Sequence, residues 1–166
     1  MRTCVPVENA GSDYIKLRRA LERGRLPEAI AHATDMPHVP LPEALGLLLL
    51  MRDNRPTYER ASARFAGRVA LELRPSPEQL QLLVAALAST RAHPVAGLPA
   101  TAAVFDSLGH HEIAAAVDPV ARGLASSAGE TPPARTRVCA CENITEVLTR
   151  LVQPDRRAVL HAPRAR

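Results

Sequence analysis

The chain has no tryptophan and only four other aromatic residues, Tyr14, Tyr58, Phe65 and Phe105, in 166 residues. Sandwiches and barrels fill their interiors with aromatic and β-branched side chains, so this poverty argues against an all-β fold. Cysteine is scarce as well. Cys4, Cys139 and Cys141 cannot all pair within one chain, and two of them are a single residue apart, which excludes a disulfide framework. There is no long apolar run: the longest, Ala44 to Met51, is far short of the ~18 residues of a membrane span. Arg2 is followed by Thr3, Cys4, Pro6, Glu8 and Asn9 rather than by an apolar stretch. A secretory signal is therefore not expected, and the expected location is the cytoplasm, away from membranes.

Lysine is nearly missing too, with Lys16 alone against twenty arginines in a chain of net charge +4. Residues 1–128 hold 14 basic and 13 acidic groups, whereas residues 129–166 hold 7 and 4. The basic excess therefore sits at the C-terminal end. A nearly neutral body has no long-range field to gather polyanions, so any nucleic-acid role would belong to that tail. Catalytic signatures are absent in turn. No G-x-S-x-G elbow, no G-x-x-x-x-G-K-[ST] loop and no G-x-G-x-x-G turn occurs. No enzymatic activity and no cofactor are expected.

What is present is helical periodicity. Residues 1–11, with Pro6, Asn9 and Gly11, read as a mobile arm. Tyr14, Leu17 and Leu21 then mark the buried face of a helix over about 13–23, closed by Gly24. Leu26-Pro27-Glu28 starts a second helix to about residue 35, with Pro in the first turn, where its missing N–H costs nothing. After Pro37 and Pro40, Pro42-Glu43 opens a segment, Ala44 to Met51, that is apolar on every side and must be central. A fourth helix, expected to be capped by Thr57, buries Tyr58, Ala61, Phe65 and Val69. A fifth starts at Ser76-Pro77-Glu78 and carries Leu80, Leu83, Val84 and Leu87 on its inner face. Residues 93–99 read as a connector, 100–108 as helix six, and Ile113 to Val117 as helix seven, broken or ended at Pro119. The fold class expected is all-α, an irregular helical bundle or short helical-hairpin solenoid of about seven or eight helices over residues 12–125. A flexible linker (126–141), an amphipathic helix (142–153) bearing Ile144, Val147, Leu148 and Leu151, and a disordered basic tail (154–166) with Arg156 and Arg157 follow.

The run Ala20-Leu-Glu-Arg-Gly24 with Leu26, Ala29 and Ile30 resembles half of a tetratricopeptide unit, although no second copy follows at a fixed period. Asp35-Met-Pro-His-Val39, Glu43-Ala-Leu45 with its leucine run, and Tyr58-Glu-Arg-Ala61 with Arg64, Phe65 and Glu72 form a wider pattern. Over residues 13–90 it resembles a family of small uncharacterised helical proteins from actinobacteria. That resemblance implies a helical fold and carries no activity or ligand with it.

Few residues invite chemistry. His110, His111 and Glu112 are contiguous, but adjacent helical residues point about 100° apart, so a solvated helix start is expected rather than a metal site. His32, Asp35 and His38 read as helix-end interactions. Cys139 and Cys141 lack the other two ligands of a structural zinc site and read as plain thiols. Arg60, Arg64 and Arg68 recur at four-residue spacing and are expected to line one exposed face, a geometry suited to an acidic partner or to phosphates. The function expected is that of a non-enzymatic, cytoplasmic protein-interaction module with a protein partner. The alternative is a nucleic-acid-associated accessory or regulatory protein, using the basic tail and the arginine face. The contacts expected are Arg60, Arg64, Arg68, Ile144, Val147, Leu148, Leu151, Arg156 and Arg157.

Overall fold

The computed structural model describes residues 10–127; side chains are described for 11–123. Most of the expected arm and linker, the amphipathic helix 142–153 and the tail 154–166 lie outside the described residues. Among those described there are eight helices and no strand: α1 (Ala10–Glu22), α2 (Leu26–Asp35), α3 (Leu41–Leu50), α4 (Arg55–Glu72), α5 (Pro77–Ala92), α6 (Pro94–Ser107), α7 (His111–Ala115) and α8 (Val117–Ser127).

Proline and glycine punctuate this series as their backbones require. Pro27, Pro42, Pro56, Pro77 and Pro94 occupy the first or second position of α2 to α6, where no intrahelical donor is needed. At the other ends, Gly24 (φ +66°) and Gly109 (φ +79°) take the left-handed conformation that closes α1 and α6. The closure is the same in both. Arg25 N–H bonds the Ala20 carbonyl while Gly24 N–H bonds that of Leu21, and His110 and Gly109 do likewise to Phe105 and Asp106. Two starts have side-chain caps. Ser76 and Gln79 form a reciprocal capping box on α5, and Asn54 accepts from the Thr57 N–H at 3.3 Å on α4. The α4 cap is thus Asn54 and not Thr57, which is itself the third helical residue and one of the donors to be satisfied.

The apolar segment takes the central place expected of it. Ala44, Leu45, Leu47, Leu48 and Leu49 are all at most 1% exposed, and α3 touches α1, α2, α4, α7 and α8. A solenoid's units touch only their neighbours in sequence, whereas here α8 returns to pack on both α1 and α3. The architecture is a helical bundle wrapped around α3. Phe65 of α4 meets Phe105 of α6 edge-to-face, with ring centroids 6.2 Å apart, and so ties the later helices to that centre.

α5 and α6 form the closest pair. A Cβ built on Gly97 would stand 2.2 Å from the Thr90 backbone, so only glycine allows these two backbones to touch. The Thr90 and Thr101 hydroxyls lie 3.0 Å apart at that seam, fully buried, and each also donates to a carbonyl four residues back on its own helix. Three expectations fail in this region. Residues 94–99 are helix rather than connector, the break expected at Pro119 falls at Ala116 so that Pro119 lies in the first turn of α8, and α8 continues through Ser127 into the expected linker. Pro99 is tolerated inside α6 because the carbonyl it leaves without a donor, that of Val95, belongs to the exposed first turn.

Candidate functional site

The arginine row of α4 is not an exposed face. Arg60 is exposed and bonds the Pro56 carbonyl, Arg64 is half-buried, and Arg68 is 1% exposed. Helical geometry accounts for the progression. Each four-residue step overshoots a full turn by about 40°, so, measured from the buried face centred on Tyr58, Arg60, Arg64 and Arg68 lie roughly 160°, 120° and 80° away. Arg68 is thereby carried inside, where its Nε pairs with Glu72 and its Nη2 lies 3.0 Å from His38 Nε2. A phosphate-tracking stripe loses its third member.

The histidines also separate. His110 Nδ1 lies 3.4 Å from Glu112 and His111 Nδ1 lies 2.8 Å from Asp106, so the two rings address different carboxylates. Backbone donation at the helix start is the main influence holding the Glu112 carboxyl below its ordinary value. Among the described residues no group of three His, Cys, Asp or Glu side chains comes together to hold a metal. Ile144, Val147, Leu148, Leu151, Arg156 and Arg157, with Cys139 and Cys141, lie outside the described residues.

The most unusual surface is one for which the sequence gave a different role. From Gln79 to Phe105, covering nearly all of α5 and α6, Arg91 is the single charged residue. A segment apolar on all sides is ordinarily enclosed, as in α3, but the apolar middle of α5, Leu82 to Ala88, has one covered side. Leu83, Ala86, Leu87 and Thr90 face inward, while Leu82 and Val84 remain 60% and 51% exposed and Val95 of α6 is 89% exposed. Val84, expected on the inner face, is therefore on the outer one: it adjoins Leu83 and so points about 100° away from it. The signal was in the sequence as missing charge, not as periodicity.

Beside this face, α4 and α5 enclose a groove of about 260 Å³. Its walls are the Tyr58 ring, Ala63, Val84, Leu87 and Ala88, with Glu59 and Arg91 also lining it. Tyr58 anchors the groove: 1% exposed, it donates its hydroxyl proton to the Leu87 carbonyl at 2.8 Å and so fixes α4 against α5. Burial pushes the Tyr58 phenol above its ordinary value, against the opposing influence of Ser62, Arg52 and Arg91. The groove offers apolar contact, the Ser62 hydroxyl and two charges of opposite sign.

No family model matches the chain, and neither a curated protein nor a solved structure matches it. No helix among the described residues is long and apolar enough to cross a membrane.

Proposed function

We propose that this protein is a non-enzymatic interaction module whose α5 face and adjoining α4–α5 groove receive an amphipathic helix of a protein partner. The observation that carries the reading is the exposure of Leu82, Val84 and Val95 on a stretch of 27 residues, 79–105, holding one charge. Large apolar side chains left exposed on a nearly uncharged stretch mark sites of association. A helix laid into such a groove sets apolar side chains at three- and four-residue intervals against the floor. Glu59 and Arg91 then fix its direction through charges at the groove, a selective rather than an energetic contribution.

Salt dependence tests the reading. The tagged full-length chain and its Val84→Glu and Ala88→Glu variants, both at the groove, are used to capture proteins from a cell extract at about 50 and 200 mM salt. Apolar docking predicts that the wild type retains its partner across that range and that either glutamate abolishes capture. A nucleic-acid module would instead lose ~10³-fold in affinity over the same range and keep its target in both variants.

A further inference from the structure

On the opposite side of α3, where α1, α7 and α8 converge, lies a cleft of about 310 Å³, at the lower end of the volumes that hold small ligands. Its apolar lining includes Leu21, Gly46, Ala116 and Val120. Its polar lining is more informative. Glu43, third residue of α3, contributes to the wall although it is only 6% exposed. Its Oε1 accepts the Tyr14 hydroxyl proton at 2.9 Å. Its Oε2 is buried and has no hydrogen-bond partner among the described residues. A carboxylate oxygen sequestered without a donor is unfavourable, and the usual remedy is a charged donor that restores both the hydrogen bond and the charge balance.

Three features select the chemistry of that donor. Glu22 and Glu112 also line the cleft while Arg18 is the one cation lining it among the described residues, so three carboxylates stand against one guanidinium and the local field favours a positive ligand. Tyr14 cannot supply the missing bond, since its one proton is already given to Oε1. A metal ion would need further oxygen or nitrogen ligands, and no group of three such side chains gathers among the described residues. An organic cation with a short carbon chain satisfies all three. Its ammonium donates to Glu43 and its chain lies against Leu21, Gly46 and Val120. Gly46 lets the Leu21 side chain close against α3 at the cleft wall, since a Cβ there would stand 3.3 Å from it.

We propose that the cleft between α1, α3, α7 and α8 binds a small primary amine as its ammonium ion, with the free Oε2 of Glu43 as the acceptor. This site is separate from the α4–α5 groove and does not depend on the interaction reading. The probe is butylammonium chloride, titrated into the isotopically labelled full-length chain up to about 50 mM, a range that covers weak small-ligand affinities. Its neutral and anionic counterparts, 1-butanol and sodium butyrate, serve as controls. The expected result is saturable shifts of the Gly46 and Ala116 amide resonances with the amine alone, and at least about a 10-fold loss of affinity in Glu43→Gln. A second variant, Ala116→Leu, keeps the carboxylate and fills the cleft, and should weaken amine binding as strongly. The proposal is overturned if the amine gives no saturable shifts or does no better than 1-butanol. It is equally overturned if Glu43→Gln binds it unchanged. Should Glu43→Gln fail to fold, Ala116→Leu decides: unaltered amine binding there overturns the proposal, and loss of binding with the fold intact supports it.

Discussion

Arg68 of α4 reaches across thirty positions of sequence to His38, its Nη2 lying 3.0 Å from the imidazole Nε2 inside the bundle. A guanidinium can only donate, so Nε2 must accept, and His38 is the neutral tautomer with its proton on Nδ1. Together with the Arg68–Glu72 pair, this bond joins the segment between α2 and α3 to the middle of α4.

Removing either partner should therefore expose the cost of an unsatisfied buried group. His38→Ala, which strands Nη2, should lose about 1–3 kcal/mol in urea denaturation. Arg68→Ala should lose more, roughly 3 kcal/mol or above, because a cavity is added to the broken pair, and Arg68→Met should lose less than Arg68→Ala. Nitrogen NMR should find His38 Nε2 to be the hydrogen-bond-accepting nitrogen of the ring. A His38→Ala variant as stable as the wild type would show that the bond contributes nothing.

Two glycines should answer the same substitution with opposite signs. Gly67 is exposed in the middle of α4 with open space around a new Cβ, so Gly67→Ala should raise stability by about 0.5–1 kcal/mol. Gly97→Ala places a Cβ 2.2 Å from the Thr90 backbone, and prying α5 from α6 should outweigh that gain for a net loss of about 1–3 kcal/mol. Thermal unfolding of the two variants beside the wild type measures both. A neutral Gly97→Ala would mean that the helices do not approach as described.

Alkaline pH should act through Tyr58. Burial raises its phenol above the ordinary value of 10.0, so the neutral form contributes stability that is fully present below about pH 10 and is lost as pH rises through the raised value. Tyr58→Phe should lose about 1 kcal/mol at pH 7, with the hydrogen bond to Leu87, and should show a flatter stability profile above pH 10. With no tryptophan and Tyr14 the only other phenol, an absorbance titration reads both groups directly. A Tyr58 that ionises at its unfolded value would contradict the burial.

Sequence reasoning reached the centre of this fold because α3 advertises it: a helix with no polar side has nowhere to go but inside. Gly24 and the first-turn prolines Pro27, Pro42 and Pro77 were equally legible, since each acts through its own backbone, whereas Pro94 was hidden in an expected connector. What escaped was set by packing between helices. Pro99 resembled a breaker because nothing local says that the Val95 carbonyl faces solvent, and Arg68 counted as surface because its 80° offset from the buried face matters only once His38 and Glu72 are in place. The candidate groove was hidden by a related ambiguity. Leu82, Leu83 and Val84 are consecutive apolar residues, and only the position of α4 and α6 decides that Leu83 faces in while its neighbours face out.

The proposal that the outer face of α5 docks a protein helix is tested most directly by site-specific photocrosslinking in cells. A benzoylphenylalanine is placed at position 84, on that face, and separately at position 60, on the exposed side of α4 pointing away from the buried face. The account predicts a discrete protein adduct from position 84 that is absent from position 60 and that Ala88→Glu, one turn along the same groove, abolishes. Adducts from position 60 alone, or adducts to nucleic acid in place of protein, would contradict it.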